Sequence, residues 1–398
     1  MRTVQKIMRA SLWVLSALVA LAVAQVTAPS TGMAEDFTIG VISPMTGVGA
    51  DLGIASQQAV EPVIEEINRA GGVKGMQIKV IFRDDESNPQ KGVAAAYELL
   101  QRYHANIIMG ANLTNVAFAV APIVNQAKVP FIVMGTGGPL IDPQKFPYSF
   151  RTNVPTDLEA ATLVNYMLSQ GVGKKPGLMV DTTALGQAGE QAIRKALQMH
   201  QMEPVAYEAF SPADTDLTAQ GLRLQKAGVD VLFVWSNGTQ LAHAARSFES
   251  VGFNPPVFGG FGMHQESFIN LAGPAGNKWA ATILRAFTRS QTEPAPAAVK
   301  AYVAKMKQRW GDKLTKTVEI SALWDDTAHL VVDVLKRATS TNGDALKTAL
   351  EQTKGFKGMI STYSFAPDKH DGLNPADITI AYALGVVDNI RVRVPGMR

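Results

Sequence analysis

The chain has 398 residues, 46% of them hydrophobic and none of them cysteine, and its 37 Lys and Arg against 34 Asp and Glu leave a formal charge of +3. Lack of cysteine excludes disulfides, thiolate metal sites, cysteine nucleophiles and a lipid anchor on cysteine. Near-balanced charge excludes the basic stripe of a nucleic-acid binder, and the length suffices for two domains with cores of their own.

In chain order, residues 1–34 read as a signal peptide. Arg2, Lys6 and Arg9 form a basic start, Ala10–Ala24 is an apolar run broken by Ser11 and Ser16, and Gly32 and Ala34 suit cleavage after Ala34. This segment holds three basic residues and no acidic one, so the remaining chain is formally neutral. Export to the periplasm is the expectation, and no later apolar stretch reaches the roughly 18 residues of a membrane span.

Apolar strands then alternate with helical patterns. FTIGVIS (37–43) precedes a helix to about Arg69 with Ala59, Val63, Ile67 and Ala70 at helical spacing. QIKVIFRDD (77–85), ANIIMG (105–110) and VPFIVMG (129–135) follow, each but the last leading into a helix. After an irregular stretch, KPGLMVD (175–181), EPVAYEAF (203–210) and VDVLFVW (229–235) repeat the rhythm. Continuous apolar runs without alternation are what parallel strands covered on both faces require, so the fold class is α/β with two doubly wound parallel-sheet lobes. The last third changes character. WAATILRAF (279–287) reads as a strand, helices run to Trp310, over Val318–Arg337 and over Asp344–Gln352, and the end is β-like. Such a tail fits a chain that crosses between lobes several times.

The stretch INRAGGVKGMQIKVIFRDDESNP (67–89), preceded by VISPMTG (41–47), carries the most specific signal. Gly71 and Gly72 end a helix, Gly75 turns the chain and Asp84–Asp85 end a strand. This pattern resembles the branched-chain amino acid binding proteins of ABC transporters, the type I periplasmic binding proteins that include the leucine/isoleucine/valine-binding protein. GANLTNVAFAVAPIVNQAKVPFI (110–132), YSFRTNVPTD (148–157) and APDKHDGLNP (366–375) are similar to further family segments, so the resemblance covers the chain beyond the leader. It implies two lobes joined by three crossovers, near Arg151–Asn153, Leu284–Phe287 and Met359–Tyr363, that close on a ligand. The lobes are then 35–151 with 287–360, and 152–286 with 361–398, the tail being free to return to the first lobe. The partners implied are a small-molecule ligand and the ABC permease subunits, for a monomer without cofactor.

A helix start offers unpaired N–H groups and suits a carboxylate. By resemblance, Thr114 and the backbone of Gly135, Thr136 and Gly137 hold the ligand's carboxylate. The family's amino acid binders hold the ammonium with an acidic residue in the second lobe, and here that position is Phe261. The family's tyrosine after the VxD strand falls on Leu185, and an aromatic of the first loop falls on Leu52. An ammonium buried without carboxylate or aromatic face is costly, so the expected ligand is an acid with an apolar or aromatic body. Trp235 could stack on it and Asn237 bond a substituent, beside Ser236; Met45 and His264 are further candidates.

Other readings have less behind them. Branched-chain or other amino acid binding stays open, as does a ligand sensor reporting to a receptor. GVGADLG (47–53) has the context of a dinucleotide loop, but Leu52 stands where the third glycine belongs. The six histidines show no ligand spacing, and no G-x-S-x-G elbow occurs, so neither a metal site nor a hydrolase is expected. The chain is read as a binder and not an enzyme.

Overall fold

The structure, a computed structural model, describes residues 36–397. The signal-peptide expectation lies outside the described residues.

The first sheet is built from β1 (Phe37–Ser43), β2 (Ile78–Asp84), β3 (Ile107–Gly110), β4 (Phe131–Val133) and β5 (Ser149–Arg151) in the order β2-β1-β3-β4-β5, every neighbouring pair parallel. All seven residues of β1 are buried, as helices on both faces demand. Helices α1 (Ala50–Arg69), α2 (Pro89–Gln101) and α3 (Thr114–Gln126) connect the first strands. The turn after α1 needs glycine: at Gly72 φ is +75°, and an added Cβ would stand 2.0 Å from the Met76 carbonyl oxygen. Helix α2 starts on Asn88, whose Oδ1 accepts the N–H groups of Gln90 and Lys91, with Pro89 in the first turn.

The second sheet has eight strands. They are β6 (Pro176–Asp181), β7 (Ala206–Phe210), β8 (Val231–Trp235), β9 (Val257–Gly259), β10 (Trp279–Leu284), β11 (Thr288–Arg289), β14 (Ile378–Val387) and β15 (Ile390–Arg393), in the order β11-β15-β14-β10-β9-β8-β6-β7. Strands β6 to β10 are parallel, whereas β14 runs antiparallel to both β10 and β15. The parallel reading therefore holds from β7 to β10, and on the other side the hairpin β14–β15 interrupts it before β11 pairs parallel to β15. Side chains alternate between two buried faces. Leu178, Val180, Phe233 and Trp235 pack with α4 (Thr156–Gln170) and α5 (Ala184–Gln198). Met179, Leu232 and Val234 pack with α6 (Thr218–Lys226), α7 (Gly238–Ser250) and α8 (Glu266–Leu271).

The chain leaves the first sheet after β5 and enters α4. It returns after β11 to form α9 (Ala297–Trp310), α10 (Val318–Arg337), which packs along α1, and α11 (Gly343–Glu351). Met359–Tyr363, read from sequence as the third crossover, includes β13 (Thr362–Tyr363), which pairs with β12 (Phe356–Lys357) beside α10. There Asp326 accepts the N–H groups of Met359 and Ile360 and the Tyr363 hydroxyl. Residues up to Leu373 stay with the first core, since Asp371 bridges to Arg151 and Phe365 meets Phe150 edge-on. The passage to β14 comes at 374–377. One buried ion pair ties the two sheets: Arg391 of β15 donates to Glu319 of α10 at 2.7 Å, with 1% and 3% of the side chains exposed.

Candidate ligand-binding cavity

In a parallel sheet, neighbouring strands whose following helices leave to opposite faces open a crevice at their carboxyl ends. The first sheet has this switch between β1 and β3, and the second between β6 and β8. The loops after these strands converge on one cavity with about 620 Å³ of atom-free space, part of it continuous with solvent.

From the first sheet come Leu52, Thr114 and Thr136; from the second, Leu185, Trp235, Asn237 and Phe261. Thr114, 2% exposed, is the first residue of α3, after Leu113 at the cap position, which makes no side-chain capping bond. Leu113 and Thr114 both line the cavity, so a helix start without a side-chain cap meets its wall. Gly135 and Gly137 do not line the cavity. They lie under α3, where an added Cβ would meet Ala117 at 3.0 Å and the Thr114 methyl at 3.0 Å respectively. Arg151 fixes this loop from behind. Its guanidinium donates to the carbonyls of Thr136 (2.6 Å) and Gly137 (2.9 Å) and pairs with Asp371 (2.9 Å). Those carbonyl oxygens are thereby turned away from an anionic guest, and a buried cation stands behind the loop. Met45 is also outside the wall: its N–H bonds Asp84 at 2.9 Å, in a loop that Asp84 also fastens through Thr46. Asp84 thus clamps this loop.

On the second sheet, Trp235 is 2% exposed and belongs to the core while also lining the cavity. Its ring lies where a Cβ on Gly189 or Gly260 would be. Asn237, at the cap of α7, makes no side-chain capping bond, and Gln265 Oε1 accepts the Gly238 N–H. Phe261 crosses toward the first core, packing partly against it. His264 lies behind Phe261, ring centres 5.8 Å apart, wholly buried and away from the cavity wall.

Several lining residues went unread in the sequence. Asn112 and Asn153 add amides, Met134 closes the floor, and Ile320 with Leu323 present one apolar face of α10. Most consequential is Glu159, in the first turn of α4. It is 1% exposed, its Oε1 accepts the Phe261 N–H (3.0 Å) and the Thr282 hydroxyl (2.8 Å), and burial pushes its carboxyl up to about 7 against those two bonds and the Arg151 charge. It is the one ionisable side chain among the residues lining the cavity. A glutamate within the first helical turn is an ordinary dipole partner, so only its neighbours in space mark it.

Two wound sheets whose switch points share one cavity define the class: a solute-binding protein of the type I periplasmic binding fold. A family model described as periplasmic binding protein matches residues 36–382. The chain belongs to that family, and the resemblance carried by residues 67–89 extends through most of its length. It is 26% identical over 336 residues to Leu/Ile/Val-binding protein homolog 3 of Brucella melitensis, spanning 83% of this chain and 87% of that protein. Among solved structures, the branched-chain amino acid transporter substrate-binding protein LivJ of Streptococcus pneumoniae, in complex with isoleucine, aligns with TM-score 0.78 at 22% identity, covering 91% of this chain and 99% of that one. A solute-binding protein of an ABC transporter from Rhodopseudomonas palustris BisB5, in complex with 3,4-dihydroxybenzoic acid, aligns with TM-score 0.74 at 26% identity, covering 87% and 93%. Among the described residues no helix is long and apolar enough to cross a membrane.

Proposed function

We propose that the chain is the periplasmic solute-binding component of an ABC uptake transporter, and that it captures a small acid with an apolar or aromatic body. The observation that carries this reading is the start of α3 at Leu113 and Thr114, without a side-chain cap, in a cavity walled by Leu52, Leu185, Phe261, Ile320 and Leu323. A carboxylate gains charge-assisted bonds there, each contributing about 1.5–3 kcal/mol, while the body displaces water from apolar walls. The two sheets act as lobes: 35–151 with 287–373, and 152–286 with the remaining tail. A ligand touching both favours the closed form, which the permease then recognises. Residues 1–34 serve as the signal peptide and the protein works as a monomer. That a relative of comparable fold holds 3,4-dihydroxybenzoic acid supports the acid reading.

Glu159 favours a second reading, because an ionised carboxyl in the wall is a counter-ion for an α-amino acid's ammonium. A thermal-shift panel of benzoates, cinnamates, aliphatic acids and leucine on the protein lacking residues 1–34 separates the two, since a ligand raises the melting temperature according to its occupancy. Greater stabilisation by an acid without an amino group is the expected result; greater stabilisation by leucine overturns the acid reading.

A further inference from the structure

Glu159 is not only a wall residue; its bonding dictates where its proton must sit. Oε1 already takes two donors, the Phe261 N–H and the Thr282 hydroxyl, so a proton favours the other oxygen. No donor from the described residues meets Oε2, yet Oε2 is not sealed among buried unpartnered atoms, and the residue lines the cavity. Oε2 is therefore the atom that faces a ligand.

No cation lines the cavity, and Arg151, behind its loop, acts on Glu159 only against the upward push of burial. Arg151 is spent on Asp371 and on the Thr136 and Gly137 carbonyls. Within α4, Asp157 pairs with Lys195 of α5 at the surface. Strands β9 and β10, packed against α4, bring no charged side chain, and β14 brings Tyr382 alone. His264 is buried and held neutral by its burial, and Glu319 is neutralised by Arg391. A ligand carboxylate at Thr114 thus adds a second negative charge to a small, poorly solvated space already holding one carboxyl.

We propose that Glu159 is a specificity-determining residue that enters the complex as a neutral acid, donating its Oε2 proton to a hydroxyl or carbonyl oxygen of the ligand, so that capture of an anionic ligand takes up one proton. This rests on the acid reading above. The proton comes from solvent and no covalent bond to the ligand forms. An ammonium, having no lone pair to accept that proton, requires the opposite state: Glu159 ionised and a proton released.

The two cases differ in sign, which makes the test decisive. Calorimetry of benzoate, 4-hydroxybenzoate and leucine at pH 6, 7 and 8, in buffers of different ionisation enthalpy, reads both affinity and the number of protons exchanged. For the acid, affinity should fall as pH rises above 7, approaching tenfold per pH unit, and 4-hydroxybenzoate should bind at least threefold tighter than benzoate. Glu159→Gln keeps its oxygen for Phe261 and Thr282 and turns an N–H toward the cavity, mimicking the neutral acid. Its pH profile should be flat and its affinity at pH 8 should match wild type at pH 6. Should that variant not fold, Thr282→Val removes one bond that favours the ionised form and should shift the wild-type profile to higher pH. At pH 8, proton release, or no proton exchange, on binding of whichever compound binds best overturns the proposal. Leucine binding best overturns the acid reading independently, whatever the sign of the proton.

Discussion

At the scale of single residues, the cavity's preferences follow from which polar atoms the protein has already used. The Thr136 hydroxyl bonds Thr156 at 2.9 Å, and four of the five Arg151 guanidinium N–H groups are bonded, whereas the start of α3 at Thr114 has no side-chain cap. Thr114→Val keeps the shape and removes the hydroxyl. It should weaken any carboxylate ligand by about 1.5–3 kcal/mol, roughly 10- to 150-fold, in calorimetry, while leaving the melting temperature of the free protein nearly unchanged. Phe261→Ala should separate ligands that Thr114→Val does not. Ring-bearing acids should lose about 1 kcal/mol more than aliphatic acids of equal length, because only they lose a ring–ring contact in addition to buried area. Equal losses for both classes would mean that Phe261 fills space without selecting for a ring.

At the scale of elements, two helices from different sheets meet beside the cavity. Asp51 in the first turn of α1 accepts the Glu266 N–H at the start of α8 (2.6 Å), and the Glu266 carboxylate accepts the Thr315 hydroxyl and the Lys316 N–H, both at 3.1 Å. These bonds join segments packed on different sheets, and Asp51 itself is not part of the wall. Asp51→Ala should therefore lower the affinity of chemically unrelated ligands by one common factor, about three- to tenfold, with the change in the dissociation rate. A loss confined to one ligand class would place Asp51 in recognition instead. Such contacts also mark the limit of what the sequence conveys. Strand β8 reads VLFVW, and its two-sided burial is legible because both alternating sets are apolar. The loop after β3 is legible as a helix start, and Thr114 with it. Glu159 was not, since one carboxyl in a first helical turn looks like any dipole partner until Phe261, more than a hundred residues on, supplies its N–H. Nor was the hairpin β14–β15: its apolar run ITIAYALGVV reads like a parallel core strand, and only its pairing across β10 makes it antiparallel.

At the scale of the whole molecule, buried acids outweigh buried bases near neutral pH. Burial raises Asp85 and Glu159 to about 7 and Asp51 and Asp326 to about 6. A carboxyl whose folded value exceeds its unfolded one binds its proton more tightly when folded. Its stabilisation is complete below the unfolded range and is lost as pH rises toward the folded value, here between about 4 and 7. His329, held up by Asp325, acts in the same sense. Burial depresses His264 and His370, which act oppositely: their contribution is present above the unfolded histidine range near 6.5 and is lost as pH falls below it. Between pH 8 and pH 6.5 the carboxyls titrate before the histidines bite. The ligand-free protein should gain on the order of 1 kcal/mol and about 2 °C on that acidification, seen by calorimetric melting. Asp85→Asn and Glu159→Gln should each remove close to half of the gain, while a variant at an exposed carboxylate should leave it intact. A melting temperature that falls steadily from pH 8 to pH 6.5 would show that the histidines dominate over the buried carboxyls.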